Sequence, residues 1–82
     1  MLRLPSPDLA VRELFEPSDL VDYRKLPTFR QALTNANNTI ARNPAVRSVQ
    51  VLTMRANGEI WLLRVGNRGG WKCLWNFGNP VI

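Results

Sequence analysis

Apolar residues recur with two different periods along this chain. Phe29, Leu33, Ala36 and Ile40 return at three- and four-residue intervals, the spacing of one face of a helix. Arg30, Gln31, Thr34, Asn35, Asn38 and Arg42 fill the other faces. Leu26-Pro27-Thr28 opens this helix and Asn43-Pro44 closes it, because a residue before proline disfavours the α region. The apolar stripe is narrow, so the helix is expected to cover one face of something larger.

Beyond Pro44 the period shortens towards two. Strands are expected over Arg47–Arg55, Glu59–Val65 and Trp71–Phe77. Asn57-Gly58 predicts a two-residue hairpin turn, and the glycine-rich segment 66–70 a second turn. Upstream of the main helix, Ser6-Pro7-Asp8 is a helix-start signal, with Ser as N-cap and Pro in the first turn. It predicts a short helix to about Phe15, stopped by Pro17. Ser18-Asp19 offers a second start, giving a turn or short helix through Tyr23. Together these elements predict an α+β fold: N-terminal helices, one short and one longer, packed on one face of a three-stranded antiparallel β-meander. A chain of 82 residues is expected to form a single small domain.

Turn length sets which side chains share a face. A two-residue loop at Asn57-Gly58 places Ala56 opposite Glu59, Met54 opposite Trp61, and Leu52 opposite Leu63. A three-residue loop, Asn67-Arg68-Gly69, puts Gly69 in the left-handed position and pairs Leu63 with Cys73, Arg64 with Lys72, and Trp61 with Trp75. The expected inner face then carries Trp61, Trp71 and Trp75 with Leu52, Met54, Leu63, Val65, Cys73 and Phe77. On this register the tryptophans are core and offer no platform for stacking bases. The opposite face has an aliphatic centre of Val51, Ile60, Leu62 and Leu74, flanked by Arg55, Arg64 and Lys72. An exposed apolar patch with a polar rim marks an interaction site. The residues expected to bind a partner are Arg55, Ile60, Leu62, Arg64, Arg68, Lys72 and Leu74.

Charge sharpens this picture. The chain has 11 basic and 6 acidic side chains, a net charge of +5. Residues 1–22 hold five acids against Arg3 and Arg12, whereas residues 23–82 hold nine basic residues against Glu59 alone. An acidic arm therefore precedes a basic body, and such a body attracts polyanions, either nucleic acid or an acidic protein face. The arm could equally neutralise the body within the chain.

Several chemistries lack their residues. There is no histidine, the usual general base and commonest metal ligand, and the single cysteine, Cys73, cannot build a zinc site. The carboxylates lie mostly in the arm, so a paired-carboxylate hydrolase is not expected. No cofactor and no metal are expected, and Cys73 reads as a small apolar strand residue. A lone cysteine, an N-terminus without an apolar leader core and the lack of a long apolar run lead to the expectation of a cytoplasmic protein with no membrane contact.

The order of helices followed by a meander, with the stretch WLLRVGNRGGWKCLW over residues 61–75, resembles RelE/ParE-like ribonuclease toxins. That resemblance implies RNA contact by Arg64, Arg68 and Lys72. The residues themselves lead to a different first expectation: a small non-catalytic binding protein, regulatory or inhibitory and of a kind encoded by phages or mobile elements. It would meet a protein partner, or itself as a homodimer, through the mixed sheet face. Nucleic-acid binding by the basic surface is the alternative.

Overall fold

The computed structural model describes residues 21–79 with their side chains, and the backbone of Leu2–Arg3 and Leu20. The chain is α+β. Two short strands, β1 (Leu2–Arg3) and β2 (Leu20–Val21), pair antiparallel, and a 3-10 turn follows over Tyr23–Lys25. Helix α1 (Phe29–Arg42) then leads into β3 (Ser48–Met54), β4 (Ile60–Gly66) and β5 (Trp71–Asn76). These three strands form an antiparallel sheet in the order β3-β4-β5. The short helix expected over residues 7–15 lies outside the described residues, and α1 is the one α-helix among them.

Local chemistry explains the helix ends. The Thr28 side chain accepts a hydrogen bond from Gln31 N at 3.2 Å, as an N-cap should. Asn43, ahead of Pro44, caps the other end, and its N–H bonds to Ile40 O at 3.1 Å. The residues most deeply buried on α1 are Ala32 and Ala36 rather than the larger members of the expected stripe. Two alanines one turn apart let the helix backbone approach the sheet closely. Phe29, Leu33 and Ile40 are half-buried beside them. Upstream, the expected turn or short helix through Tyr23 is replaced by β2 and the 3-10 turn, which the Asp22 side chain caps by accepting from Arg24 N.

The first hairpin departs from the expected register. Arg55 N donates to Glu59 O at 2.7 Å and Gly58 N to Arg55 O at 2.9 Å. The loop therefore has three residues, Ala56-Asn57-Gly58, with Gly58 at φ +87° and no positive φ at Asn57. The second hairpin repeats the arrangement: Gly66 N donates to Gly70 O at 2.8 Å, Gly69 N to Gly66 O at 3.1 Å, and Gly69 has φ +86°. Here the expected three-residue loop is correct. Both are type I turns continued by a left-handed glycine, the usual three-residue hairpin.

One added loop residue slides β3 past β4. Met54 sits opposite Ile60, Thr53 opposite Trp61, and Leu52 opposite Leu62. On the other side of β4, Leu63 pairs with Cys73 as expected, but Leu62 pairs with Trp75. The extra residue, Leu74, makes a β-bulge, and beyond it β5 changes face relative to the expectation. Trp61 and Trp75 thus lie on opposite faces of the sheet.

The two faces are both covered. On one, Ile60 (0% exposed), Leu62 (2%) and Phe77 form a cluster with Leu52, Met54, Leu74 and Trp75. Val21, Tyr23 and Leu26, from the segment before α1, pack over that cluster. The other face carries Thr53, Leu63 and Val65, all buried, and α1 lies on this side. Between the faces, the chain passes round the β3 edge at Pro27-Thr28. There Met54 N and the Thr53 hydroxyl both donate to Pro27 O, at 3.1 and 2.9 Å, and Thr28 bridges to Met54 in parallel. No helix among the described residues is long and apolar enough to cross a membrane.

Candidate functional site

The sealed face corrects the expected binding surface. Ile60 and Leu62 belong to the core, and Leu74 is half-buried against them, so the aliphatic centre of the expected patch is not exposed. Its cause is the segment before α1, whose Val21, Tyr23 and Leu26 pack over this face, while the three-residue first loop adds Leu52 and Met54 to the same side. Arg64 and Lys72 do face one another across β4 and β5, on the side away from α1, and Arg68 is exposed at the tip of the second loop. Two cations directly opposite on paired strands repel. These three are not gathered with Arg55, which lies elsewhere.

Arg55 lines a cleft of about 670 Å3 between the 3-10 turn, the start of α1 and the first hairpin. This volume is in the range of small-ligand sites. Its walls are apolar and aromatic: Tyr23, Leu26, Phe29 and Met54. Arg24, Arg30 and Arg55 line it too, with Thr28 and Ala56 completing the wall. Local structure sets each group. The capped 3-10 turn holds Tyr23 and Arg24, the Thr28 N-cap sets the direction of Phe29 and Arg30, and the hairpin closure fixes Arg55.

The guanidinium of Arg55 is held between two rings. Its central carbon stands 4.1 Å from the centroid of Phe29 and 4.4 Å from that of Trp61. Such cation–π contacts immobilise the group without using its N–H donors. Phe29 in turn meets Trp71 edge-on, with centroids 4.8 Å apart and planes at 79°. Trp71 is 46% exposed, the one large apolar side chain so open among the described residues. The expectation that all three tryptophans are core is therefore corrected: β5 carries Trp71 past the area that α1 covers. An aromatic surface runs from the cleft through Phe29 to Trp71.

The electrostatics of the cleft are positive. Arg24 bonds to Asp22 through Nε at 3.1 Å, and this contact holds the Asp22 carboxyl below its ordinary pKa. Arg30 and Arg55 form no ion pair among the described residues. The first turn of α1 carries no acidic residue, so no side chain of that turn offsets the positive end of the helix dipole. Glu59, the one acid of the basic body, is engaged on the hairpin. Asn76 Nδ2 donates to its Oε2 at 2.8 Å and Asn57 Nδ2 to its Oε1 at 2.6 Å. These bonds, Asn76 first, hold its carboxyl below the ordinary value, with smaller contributions from Trp61 and from the Arg55 charge. The Trp61 indole nitrogen lies near that carboxylate yet outside hydrogen-bonding geometry, so it remains buried without a bond.

No group of three or more His, Cys, Asp or Glu side chains gathers among the described residues. Cys73 is half-buried, and burial pushes its thiol pKa up, away from thiolate chemistry. What the cleft can do is receive a group that is flat or apolar on one side and anionic on the other. Of its lining, only Arg55 was anticipated. Tyr23, Arg24, Phe29 and Arg30 were not, although a signal was present: Tyr23-Arg24, Phe29-Arg30 and Trp71-Lys72 are three aromatic–basic dipeptides in one short chain. No protein-family model, curated protein or solved structure matches the chain.

Proposed function

We propose that this chain is a small non-catalytic binding protein, regulatory or inhibitory in role, that engages a polyanionic partner through the arginine-lined cleft. The observation that carries the reading is Arg55. Its guanidinium is fixed between Phe29 and Trp61, lines the cleft, and forms no ion pair among the described residues. A planar fork of donors held in place by stacking suits phosphate or carboxylate. Arg24 and Arg30 add charge around it, and Glu59 is turned to Asn57 and Asn76 instead. The homodimer and protein-partner expectations rested on an exposed aliphatic patch; with Ile60 and Leu62 inside, the basic cleft takes the place of that patch.

Heparin supplies a generic polyanion for the test. Binding is expected at low salt, with log affinity falling linearly against log salt concentration as displaced counterions require. The doubly substituted Arg30→Ala, Arg55→Ala protein should lose most of that binding while keeping its circular dichroism spectrum. Binding of heparin that neither salt nor the double substitution weakens would remove the reading.

A further inference from the structure

We infer that the cleft and Trp71 together form a seat for single-stranded nucleic acid, with one base lodged in the cleft and a neighbour stacked on the exposed indole. This rests on the polyanion reading above and goes further by naming the ligand class. Three observations converge on it.

The first is alternation. Tyr23 and Phe29 are each followed in the chain by an arginine that lines the cleft with them, Arg24 and Arg30, whereas Lys72, after Trp71, lies on the opposite face of β5. A single strand presents the complementary alternation of flat base and anionic phosphate, and proteins that hold single strands without sequence preference combine stacking rings with a positive track. The second is continuity. Phe29 both lines the cleft and touches Trp71 at 4.8 Å, so consecutive bases could occupy the two places without leaving the surface. The third is access. A cleft with apolar walls needs a base whose face is uncovered, and in a duplex both faces are hidden by neighbours.

An acidic peptide meets the same charges less well. The common way for a peptide to add to a sheet is to pair with an open edge strand. The β5 edge is broken by the bulge at Leu74 and carries Lys72, and both features discourage strand addition. Carboxylates would satisfy the arginines but leave the ring face of Trp71 unused.

The test is fluorescence anisotropy of the full chain with four probes at one salt concentration: a mixed-sequence single-stranded 12-mer, its duplex, heparin, and a glutamate-rich peptide containing phenylalanine. The expected result is at least about tenfold tighter binding of the single strand than of duplex or peptide, with quenching of tryptophan emission. Trp71→Ala should weaken single-strand binding roughly tenfold, the scale of one lost stacking contact, while leaving heparin binding unchanged. Trp71→Phe should restore most of the loss, which separates stacking from a folding defect. Equal or tighter binding of duplex or acidic peptide would overturn the single-strand inference and leave the polyanion reading standing. Binding of none of the four probes at low salt would overturn both.

Discussion

Both faces of the β3-β4-β5 sheet bury large apolar side chains, yet they end in opposite conditions. On the face away from α1, Ile60, Leu62 and Phe77 are sealed by Val21, Tyr23 and Leu26. On the helix side, burial is just as complete beneath Ala32 and Ala36, where Thr53, Leu63 and Val65 lie. It then fails towards β5, where Trp71 stands open against Phe29. The difference is one of coverage rather than composition. An irregular segment can follow the contour of a sheet, whereas a narrow helix covers a strip and leaves a flank. The flank it leaves here is aromatic, and it joins a cleft lined by three arginines. The proposed function rests on that flank because large apolar side chains meet there two arginines, Arg30 and Arg55, that form no ion pair among the described residues.

Substitution on the sealed face should have the largest effect. Leu62→Glu places an unpartnered carboxylate where 2% of the residue is exposed, and the protein should lose its cooperative unfolding transition. Leu62→Ala is the milder form and should cost about 2–5 kcal/mol in urea unfolding, the range for truncating a buried leucine. If Leu62→Glu unfolds cooperatively at the wild-type midpoint, the sealed face has been misassigned.

The hairpins that set the faces come next. Gly58→Ala forces a side chain into the left-handed region at φ +87°, and its Cβ would fall 2.5 Å from Asn79 Nδ2. It should cost about 1–3 kcal/mol, the scale of a strained backbone position. Gly69→Ala, at φ +86° in open space, should lose only the backbone part, about 1–2 kcal/mol. Matched denaturation curves decide the order; a larger loss at Gly69 would contradict the account of the first hairpin.

On the open flank, the loss of stability should be no larger than at the hairpin glycines. Arg55→Ala removes two cation–π contacts worth about 0.5–1 kcal/mol each at such sites, and Trp71→Ala should stay within about 1 kcal/mol. Arg55→Ala should depress heparin binding, and Trp71→Ala single-strand binding, far more than these stabilities suggest. A loss at Trp71 as large as at Leu62 would erase the contrast between the faces.

The smallest effect concerns pH. Hydrogen bonds from Asn76 and Asn57 depress the pKa of Glu59 in the folded protein. Its contribution is therefore present above the unfolded-state pKa and is lost as pH falls through the folded value. Glu59→Gln should flatten the acid limb of the stability–pH curve and leave the neutral region nearly unchanged. An acid limb as steep as the wild type's would show that Asn76 and Asn57 do not hold that carboxylate.

From the main helix onward the elements were legible in the sequence, and so were the faces of β4, but those of β3 and of the end of β5 were not. Helix limits at Thr28 and Asn43 follow from capping and proline chemistry that acts locally, and the Asn67-Arg68-Gly69 loop follows from its glycine. Asn57-Gly58 misled because the same dipeptide serves two turns. It can fill both centres of a two-residue loop, or it can supply the last two residues of a three-residue loop, in which only Gly58 needs positive φ. That single residue reverses β3 against β4. The bulge at Leu74 then reverses the end of β5, and nothing in its alternating pattern marks the extra residue. Arg55 was expected on the outer face, and the changed register carries it instead to the helix side, between Phe29 and Trp61 at the cleft. Tyr23, Phe29 and Arg30 were missed because the cleft joins three elements that are distant in the chain.

Hydroxyl-radical footprinting of the native protein, read residue by residue by mass spectrometry, tests the central claim most directly. The account predicts rapid oxidation of Trp71 and protection of Ile60 and Leu62 until the protein unfolds. Protection of Trp71 together with oxidation of Leu62 in the folded state would contradict it.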